Sequence, residues 1–237
     1  MNLQALKEQV LEANLELPRL GLVDFTWGNV SGKDAQSGAI VIKPSGVSYK
    51  TMSLTDMVVV DTQGQVLEGT LKPSSDLATH LELYRHFPSV GGIVHTHSTW
   101  ATVWAQACRG IPSLGTTHAD YFFGEIPCTQ VLTEQQTSHH YEAQTGLAIV
   151  QRFREGGIDP VQMPAVLVAN HGPFTWGADA DAAVHNAAVL ELTARMALLT
   201  LQVTPELPSM PLHLLEKHFF RKHGPGAYYG QTQNTPA

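Results

Sequence analysis

Two histidines follow a short apolar segment in the middle of the chain. Ile93 and Val94 predict a buried strand, and His95 and His97 come directly after it, two residues apart. Because side chains on a strand alternate between its faces, the two imidazoles are expected to point the same way. Two imidazoles on one face at a strand end are typical of a metal-binding pair. An isolated His-x-His pair also fits ordinary polar chemistry at a strand end.

A third histidine occupies a similar position later in the chain. Residues 165–169 predict an apolar strand that runs straight into Asn170, His171 and a Gly-Pro turn. Strand ends are where α/β proteins place functional side chains. If this strand neighbours the first, three imidazoles converge, and three protein ligands with an open position describe a catalytic metal site. Alone, His171 would more simply cap a turn; beside the His-x-His pair we interpret it as a ligand.

Two other classes of metal protein do not fit the spacing. A cupin would carry a glutamate shortly after the second histidine, where this chain has Ala101 and Thr102. A metal-dependent amidohydrolase places His-x-His near the start of a long (β/α)₈ barrel. This chain is short for such a barrel, and its early strands are predicted to be linked by hairpins.

Small polar residues cluster in three predicted turns. Ser74, Ser75 and Asp76 lie at the start of a predicted helix, where free N–H groups and the positive helix end attract anions. Asp76 has the default role of an N-cap, which would still leave one oxygen for a metal. The other two turns contain Gly28 and Asn29, and Lys43, Ser45 and Gly46. Together they predict a phosphate cradle without a Walker loop, since the Gly-x4-Gly-Lys pattern is absent.

Two further segments carry groups that could transfer protons. Asp120 lies in an apolar-flanked segment and would serve as a general acid or base if it were buried near the metal. Its alternative role is a hydrogen-bonded loop aspartate. Tyr228 and Tyr229 lie in a Gly-rich segment near the C-terminus, which only docking can order. They either anchor that segment or deliver a phenol into a site, including the site of a neighbouring subunit.

The amino-acid composition restricts the kinds of molecule that this protein is expected to bind. The 237 residues carry a formal net charge of −7 with only 14 Lys and Arg, so no basic surface indicates nucleic acid. No apolar run approaches a membrane span of about 18 residues. The charged N-terminal segment is unlike a secretory signal. Cys108 and Cys128 lack CxxC spacing, and we expect buried, reduced thiols in a cytoplasmic protein.

The segments between these motifs predict the fold class. A helix from Leu3 is expected to stop at Pro18, and strands are expected over 23–31, 39–42, 57–61 and 66–67. Later helices are expected over 77–88, 99–107, 137–157, 179–203 and 216–222. Strands in succession with short connections indicate antiparallel pairing. We therefore predict a single three-layer α/β/α domain around a mostly antiparallel central sheet.

Seven motifs in one order then resemble a known family. They are TWGNVS (26–31), IKPSG (42–46), KPSSD (72–76), GGIVHTHS (91–98), GTTHADYF (115–122), NHGPFTWG (170–177) and KHGPGAYYGQ (222–231). The set resembles the class II aldolase and adducin-head family, and within it the L-ribulose-5-phosphate 4-epimerase branch. The resemblance covers residues 1–231 as one domain and leaves 232–237 as a flexible tail.

The resemblance implies roles for the motif residues. It implies a Zn²⁺ site formed by His95, His97 and His171, with Asp76 as a further ligand or close neighbour; the same donors suit Mn²⁺ or Co²⁺. Sugar and phosphate contacts are implied for Gly28, Asn29, Lys43, Ser45, Gly46, Ser74 and Ser75. Asp120 and Tyr229 are implied as an acid/base pair that reaches the metal of an adjacent subunit in a homotetramer.

The implied reaction inverts C4 of a ketopentose 5-phosphate by breaking and re-forming the C3–C4 bond, with the metal as Lewis acid. The aldolase branch carries a glutamate base where this chain has Asp76, which favours the epimerase. Two alternatives stay open: a class II sugar-phosphate aldolase of the same fold, and a non-catalytic scaffold like the adducin head. The presence of all three histidines argues against the scaffold.

Overall fold

The computed structural model describes residues 3–229. Its seven strands form one sheet, and every pair of neighbouring strands is antiparallel. The strands are β1 (Asn29–Lys33), β2 (Ile40–Ile42), β3 (Val58–Val60), β4 (Val66–Glu68), β5 (Gly92–His95), β6 (Ala165–Leu167) and β7 (Pro173–Gly177). Their order across the sheet is β4-β3-β2-β1-β5-β7-β6. The predicted antiparallel sheet is confirmed.

Helices pack on both faces of this sheet. They are α1 (Leu3–Arg19), α2 (Leu77–His86), α3 (Thr99–Gln106), α4 (Thr116–Ala119), α5 (Glu134–Ser138), α6 (Tyr141–Gly156), α7 (Ala180–Val203) and α8 (Leu212–Phe220). A short 3₁₀ turn covers Leu54–Asp56. The predicted α/β/α layering is therefore confirmed.

Alternation along the strands divides the core into two parts. Val41 and Val59 face one side, where they pack with α1 and the first half of α7. Ile40, Ile42 and Val58 face the other side, where they join the apolar residues of α2, α3 and α6. Because strand side chains point alternately to opposite faces, three-residue strands that are buried throughout serve both cores.

Several predicted boundaries were wrong. The strand expected over 23–31 begins only at Asn29, because Phe25 and Gly28 have φ of +54° and +71° and break the extended chain. The helix expected over 137–157 is two helices, separated at His140, whose φ is +55°. The last helix begins at Leu212 rather than at residue 216. Helix α1 includes Pro18 in its final turn and ends one residue later.

The strand order positions the site residues. Strand β5 lies between β1 and β7, so His95 pairs with Asn29 on one side and with Phe174 on the other. The Asp61–Gln65 turn joins β3 to β4 as predicted, and the Asp61 carboxylate accepts hydrogen bonds from the N–H groups of Gln63 and Gln65. The central strands therefore bring residues from distant segments to one edge of the sheet.

Two further expectations can be compared with residues 3–229. No helix in this range combines the length and apolar character needed to cross a membrane. Both cysteines are free, but Cys108 is exposed and Cys128 is half-buried, so the expectation of buried thiols was wrong. Cys108 lies in the turn after α3, where its φ is +53°.

Candidate active site

The three predicted histidines converge at one end of β5. Their ring centroids lie 4.7 Å (His95–His171), 4.9 Å (His95–His97) and 5.1 Å (His97–His171) apart. One ligand nitrogen from each ring lies within 4.8 Å of the others. The predicted convergence is confirmed, although β5 ends at His95 and His97 lies beyond the regular strand.

Close backbone packing makes the convergence possible. His95 is buried, its ring stacks on Phe174 at 4.2 Å, and its Nδ1–H donates to the carbonyl of Pro173 at 2.9 Å. A Cβ on Gly172 would lie only 2.7 Å from the carbonyl oxygen of Thr96, so only glycine lets the two loops approach this closely. The turn that carries His171 is thereby held against the His95–His97 segment.

Burial favours the neutral, metal-binding form of His97 and His171. Burial lowers the pKa of His171 to about 4, and burial is also the main cause of the lowered pKa of His97. Neutral imidazole is the ligand form, because a protonated ring has no free lone pair. Three imidazoles with mutually close nitrogens fit a divalent metal such as Zn²⁺.

Asp76 supplies a carboxylate to the same cavity. It stands at the N-cap position of α2, but its side chain makes no capping hydrogen bond, so the expected capping role was wrong. Its Oδ2 instead accepts from the Asn29 amide at 2.7 Å. Burial on its own would raise the pKa of Asp76; attraction to His95 and His80 and the Asn29 hydrogen bond outweigh it, and the pKa is lowered. The group is therefore an anion at neutral pH.

One cavity of about 590 Å³ gathers the predicted residues. It is lined by all four candidate metal-site residues and all seven candidate substrate-binding residues: Gly28, Asn29, Lys43, Ser45, Gly46, Ser74, Ser75, Asp76, His95, His97 and His171. Thr26, Trp27, Pro44, Tyr141 and Glu142 complete the lining. Its size suits a small polar metabolite.

The two serine turns are joined by backbone hydrogen bonds. The Ser45 N–H donates to the carbonyl of Lys72 at 3.0 Å, and the Ser74 N–H donates to the carbonyl of Lys43 at 2.9 Å. Gly28 lies against the same region with its φ of +71°, and a Cβ there would come within 2.9 Å of the His95 carbonyl oxygen. The predicted turns therefore form one continuous rim beside the histidines.

Lys43 is the cation of this rim. Its side chain is buried, and Nζ lies 3.3 Å from the carbonyl oxygens of Thr26 and Pro44 and 4.9 Å from the centre of the Tyr49 ring. No carboxylate is paired with it among residues 3–229. Burial lowers the pKa of Lys43 to about 8. A buried ammonium group that is not paired with a carboxylate favours an anionic ligand.

Asp120 lies in a different cluster. It is buried, it accepts two hydrogen bonds from the Arg221 guanidinium at 3.0 and 2.6 Å, and it accepts one from His218 at 3.1 Å. Lys222 Nζ is 3.5 Å away. Burial opposes ionisation, but the Arg221 and His218 hydrogen bonds prevail and lower the pKa of Asp120. Asp120 is thus a carboxylate held by cations.

Tyr229 belongs to the Asp120 cluster. Its ring lies under Arg221 and Lys222, whose charged groups are 4.9 and 4.6 Å from the ring centre, and 60% of the residue is exposed. Asp120 and Tyr229 therefore share the same basic neighbours. Within the part of one chain that the structure describes, neither lines the histidine cavity.

Sequence reasoning missed Tyr141 and Glu142 in the cavity and His218 and Arg221 around Asp120. The first pair was hidden inside one predicted helix, because the break at His140 that places these two residues has no distinctive sequence signal. The KHGPG motif begins one residue after Arg221, but no local spacing connects that segment to Asp120, about 100 positions earlier. Only tertiary contacts could reveal the link.

Comparison with known proteins identifies the family to which this fold belongs. The model of the class II aldolase and adducin N-terminal domain matches residues 8–198. Among solved structures, an L-fuculose 1-phosphate aldolase superposes with a TM-score of 0.76 at 25% identity, over 90% of this chain and 94% of the other. YgbL from Klebsiella pneumoniae, for which aldolase, epimerase and decarboxylase activities are all named, has a TM-score of 0.72 at 26% identity, over 92% and 99% of the two chains.

A third structure extends the likeness of fold. An L-fuculose-1-phosphate aldolase from Thermus thermophilus superposes with a TM-score of 0.67 at 22% identity, over 87% of this chain and all of the other. The family match spans all seven strands of the sheet, the three histidines and both serine turns. This chain therefore belongs to the class II aldolase and adducin N-terminal domain family.

Proposed function

We propose that this protein is an L-ribulose-5-phosphate 4-epimerase, which interconverts L-ribulose 5-phosphate and D-xylulose 5-phosphate. The observation that carries the proposal is the joining, in one cavity, of a three-histidine cluster with a buried lysine and two serine turns. Such a cavity suits carbon–carbon bond chemistry on a small sugar phosphate. The ordered motif set of the sequence supports the epimerase branch.

The substrate's structure explains why a lyase-like fold suits an epimerase. The C4 hydrogen is not adjacent to the C2 carbonyl, so it is not acidic and cannot simply be removed and returned. Breaking the C3–C4 bond after loss of the C4 hydroxyl proton leaves an enediolate and glycolaldehyde phosphate. Rotation of the aldehyde and re-addition to its other face invert C4. Two proton-transfer groups on opposite faces are therefore required.

The chain's own residues would divide this work. Lys43, Ser45, Ser74 and Ser75 would hold the phosphate and keep the aldehyde fragment in the cavity while it rotates. His95, His97 and His171, with Asp76 beside them, would hold Zn²⁺, or Mn²⁺ or Co²⁺. A metal bound there would supply a Lewis acid for negative charge on the substrate oxygens. Asn29 would keep the Asp76 carboxylate turned toward the histidines.

Asp120 and Tyr229 are the proposed acid/base pair, contributed by an adjacent subunit of a homotetramer. They lie together around Arg221 and outside the cavity of their own chain, as residues that serve a neighbour would. Exposed aromatic residues beside the cavity support a contact there: Trp27, which lines the cavity, is 53% exposed, and Phe25, whose ring contacts that of Trp27, is 79% exposed. The ring of Trp27 lies 6.4 Å from that of His97.

An aldolase is the second candidate, because the chain is 25% identical to an L-fuculose 1-phosphate aldolase over most of both lengths. The identity of residue 76 favours the epimerase, because the resemblance gives the aldolase branch a glutamate base where this chain has the shorter Asp76.

A product assay with and without chelator separates the candidates. Purified protein is incubated with L-ribulose 5-phosphate, and both D-xylulose 5-phosphate and free glycolaldehyde phosphate are quantified. We expect D-xylulose 5-phosphate alone, lost after chelation and regained with Zn²⁺. Net release of glycolaldehyde phosphate would identify an aldolase. A purified protein that contains no metal and turns over nothing would indicate a scaffold.

A further inference from the structure

Tyr141 contacts one of the three clustered histidines from a separate helix. Its phenolic oxygen lies 3.2 Å from Nδ1 of His171, and the planes of the two rings are inclined at 29°, with centroids 6.1 Å apart. We propose that Tyr141 is a positioning residue for His171, which fixes the ring so that Nε2 remains free to bind metal. The inference rests on the metal site of the proposed function and extends it to a residue outside the ligand set.

His95 and His171 are held in position in different ways. His95 is buried on a strand, and its Nδ1–H is fixed by a backbone carbonyl that no side-chain substitution removes. His171 follows Asn170, an exposed residue with a φ of +60°, and is itself only half-buried. Among residues 3–229, Tyr141 is the only hydrogen-bonding partner shown for the His171 ring. The orientation of His171 therefore depends on a side chain.

Tyr141 is well placed to hold a neighbour still. It is the first residue of α6, and Thr145 Oγ1 donates to its carbonyl at 2.9 Å. Thr79 of α2 donates to the carbonyl of the next residue, Glu142, at 2.6 Å. The start of α6 is thus tied to the helix that begins after Asp76. The phenol is presented to His171 from a fixed backbone.

The chemical consequence concerns the tautomer of His171. A phenolic oxygen can accept the Nδ1–H, which places the ring proton on Nδ1 and leaves the lone pair on Nε2. Without that acceptor, the ring loses its preference for this tautomer and this rotation. Partners of this kind behind metal-binding histidines typically contribute 10- to 100-fold to metal affinity.

The experiment is Tyr141→Phe, which keeps the aromatic ring and removes only the acceptor. Zn²⁺ affinity at neutral pH is measured by competition with a chromophoric chelator, and thermal unfolding of the metal-free protein is measured in parallel. We expect affinity to fall about 10- to 100-fold, with the unfolding midpoint nearly unchanged. Tyr121→Phe is the matched control, since Tyr121 is also half-buried and its ring contacts His185 and Lys222 rather than any of the three clustered histidines of its chain; the Zn²⁺ affinity of this variant should equal that of the unmodified protein.

Unchanged Zn²⁺ affinity in Tyr141→Phe would overturn the inference, and a raised KM with that result would show that Tyr141 contacts substrate instead. The proposed function can fail separately. If the unmodified protein binds no Zn²⁺, the metal site and this inference both fall. If it binds Zn²⁺ but forms no D-xylulose 5-phosphate, the epimerase assignment falls and the role of Tyr141 stands on the affinity difference alone.

Discussion

At the scale of single residues, the cavity stabilises the charge of Asp76 and disfavours the charge of Lys43. Asp76 is held by Asn29 and beside imidazoles, so its pKa is lowered and it stays ionised. Lys43 is buried among carbonyl oxygens, and its pKa is lowered to about 8. The carboxylate is therefore stabilised by the residues around it, whereas the ammonium group gains most from a bound anion.

The lowered pKa of Lys43 predicts how kcat/KM depends on pH. A lysine is charged below its pKa, so the charge that attracts phosphate is present at pH 7 and is lost as the pH rises through about 8. Since kcat/KM reports ionisations of the free enzyme, kcat/KM for the sugar phosphate should decline above pH 8. Steady-state kinetics between pH 6 and pH 10 measure this decline.

The variant Lys43→Met provides the control for that assignment. It should lower kcat/KM about 10- to 100-fold at pH 7, the loss expected for one charge-assisted hydrogen bond, and its decline near pH 8 should disappear. A variant that retains the same decline would show that another group titrates there.

At the scale of elements, the site depends on how closely α2 and α6 approach. Gly146 of α6 lies directly against α2: an added Cβ would be 2.6 Å from the Cβ of Glu82 and 3.0 Å from the carbonyl oxygen of Thr79. The same contact carries the hydrogen bond from Thr79 to the carbonyl of Glu142. Because Asp76 precedes α2 and Tyr141 begins α6, this helix pair sets the width of the cavity.

Gly146→Ala should therefore push the two helices apart. We expect the free energy of unfolding to fall by about 1–3 kcal/mol, as for other overpacked sites, measured by urea denaturation. Gly115→Ala is the control, because a Cβ at Gly115 meets nothing within 4 Å and should change stability by less than about 0.5 kcal/mol. Equal stabilities of the two variants would show that the helix contact is not tight.

At the scale of the whole molecule, the histidine cavity and the Asp120 cluster are separate surfaces of one chain. A head-to-tail contact between copies would join one surface to the other and close into a ring. In such a ring, no chain completes its own site. The proposed homotetramer therefore has a consequence that can be measured in mixtures of variants.

Coexpressed His97→Asn and Tyr229→Phe chains should complement each other. His97→Asn alone should lose Zn²⁺ and nearly all turnover while it stays folded, and Tyr229→Phe alone should retain Zn²⁺ with impaired epimerisation. In mixed rings, about a quarter of the sites would combine an intact histidine cluster with an intact Tyr229 from the next chain. Activity of the mixture that merely equals the average of the two variants would place Tyr229 in the site of its own chain.

Buried histidines predict loss of stability in mild acid. His118 is buried with its Nε2 2.7 Å from the carbonyl oxygen of Gly124; burial lowers its pKa to about 4, although the hydrogen bond opposes this. The unfolded chain takes up a proton as the pH falls through about 6.5, whereas the folded chain does not until near pH 4. The free energy of unfolding should therefore fall by about 1.4 kcal/mol per pH unit for each such histidine across this window.

Urea unfolding at pH 7 and pH 5, on metal-free protein, tests this expectation. His118→Gln should unfold more easily than the unmodified protein at pH 7, yet lose less stability between the two pH values. His80, whose pKa burial lowers to about 3, should preserve part of the acid sensitivity in that variant. An identical loss in both proteins would show that His118 does not titrate in this range.

The local sequence pattern was sufficient to predict the antiparallel sheet, the convergence of the three histidines and the serine turns. Strand alternation, turn residues and the order of the motifs act over a few positions, and those positions are adjacent in the chain. The same reasoning misplaced the start of β1 and the break before α6, because left-handed backbone at Phe25 and His140 leaves no reliable mark in sequence.

Only the tertiary structure determined which side chains of the site are in contact. The strand order places Asn29 beside His95, where its amide donates a hydrogen bond to the Asp76 carboxylate. Asp76, which was expected to cap a helix, therefore faces the cavity instead. The packing of α6 brought Tyr141 to His171, and the C-terminal segment enclosed Asp120 in cations. These contacts join residues far apart in the chain, and their energies arise from burial and charge that no short sequence pattern encodes.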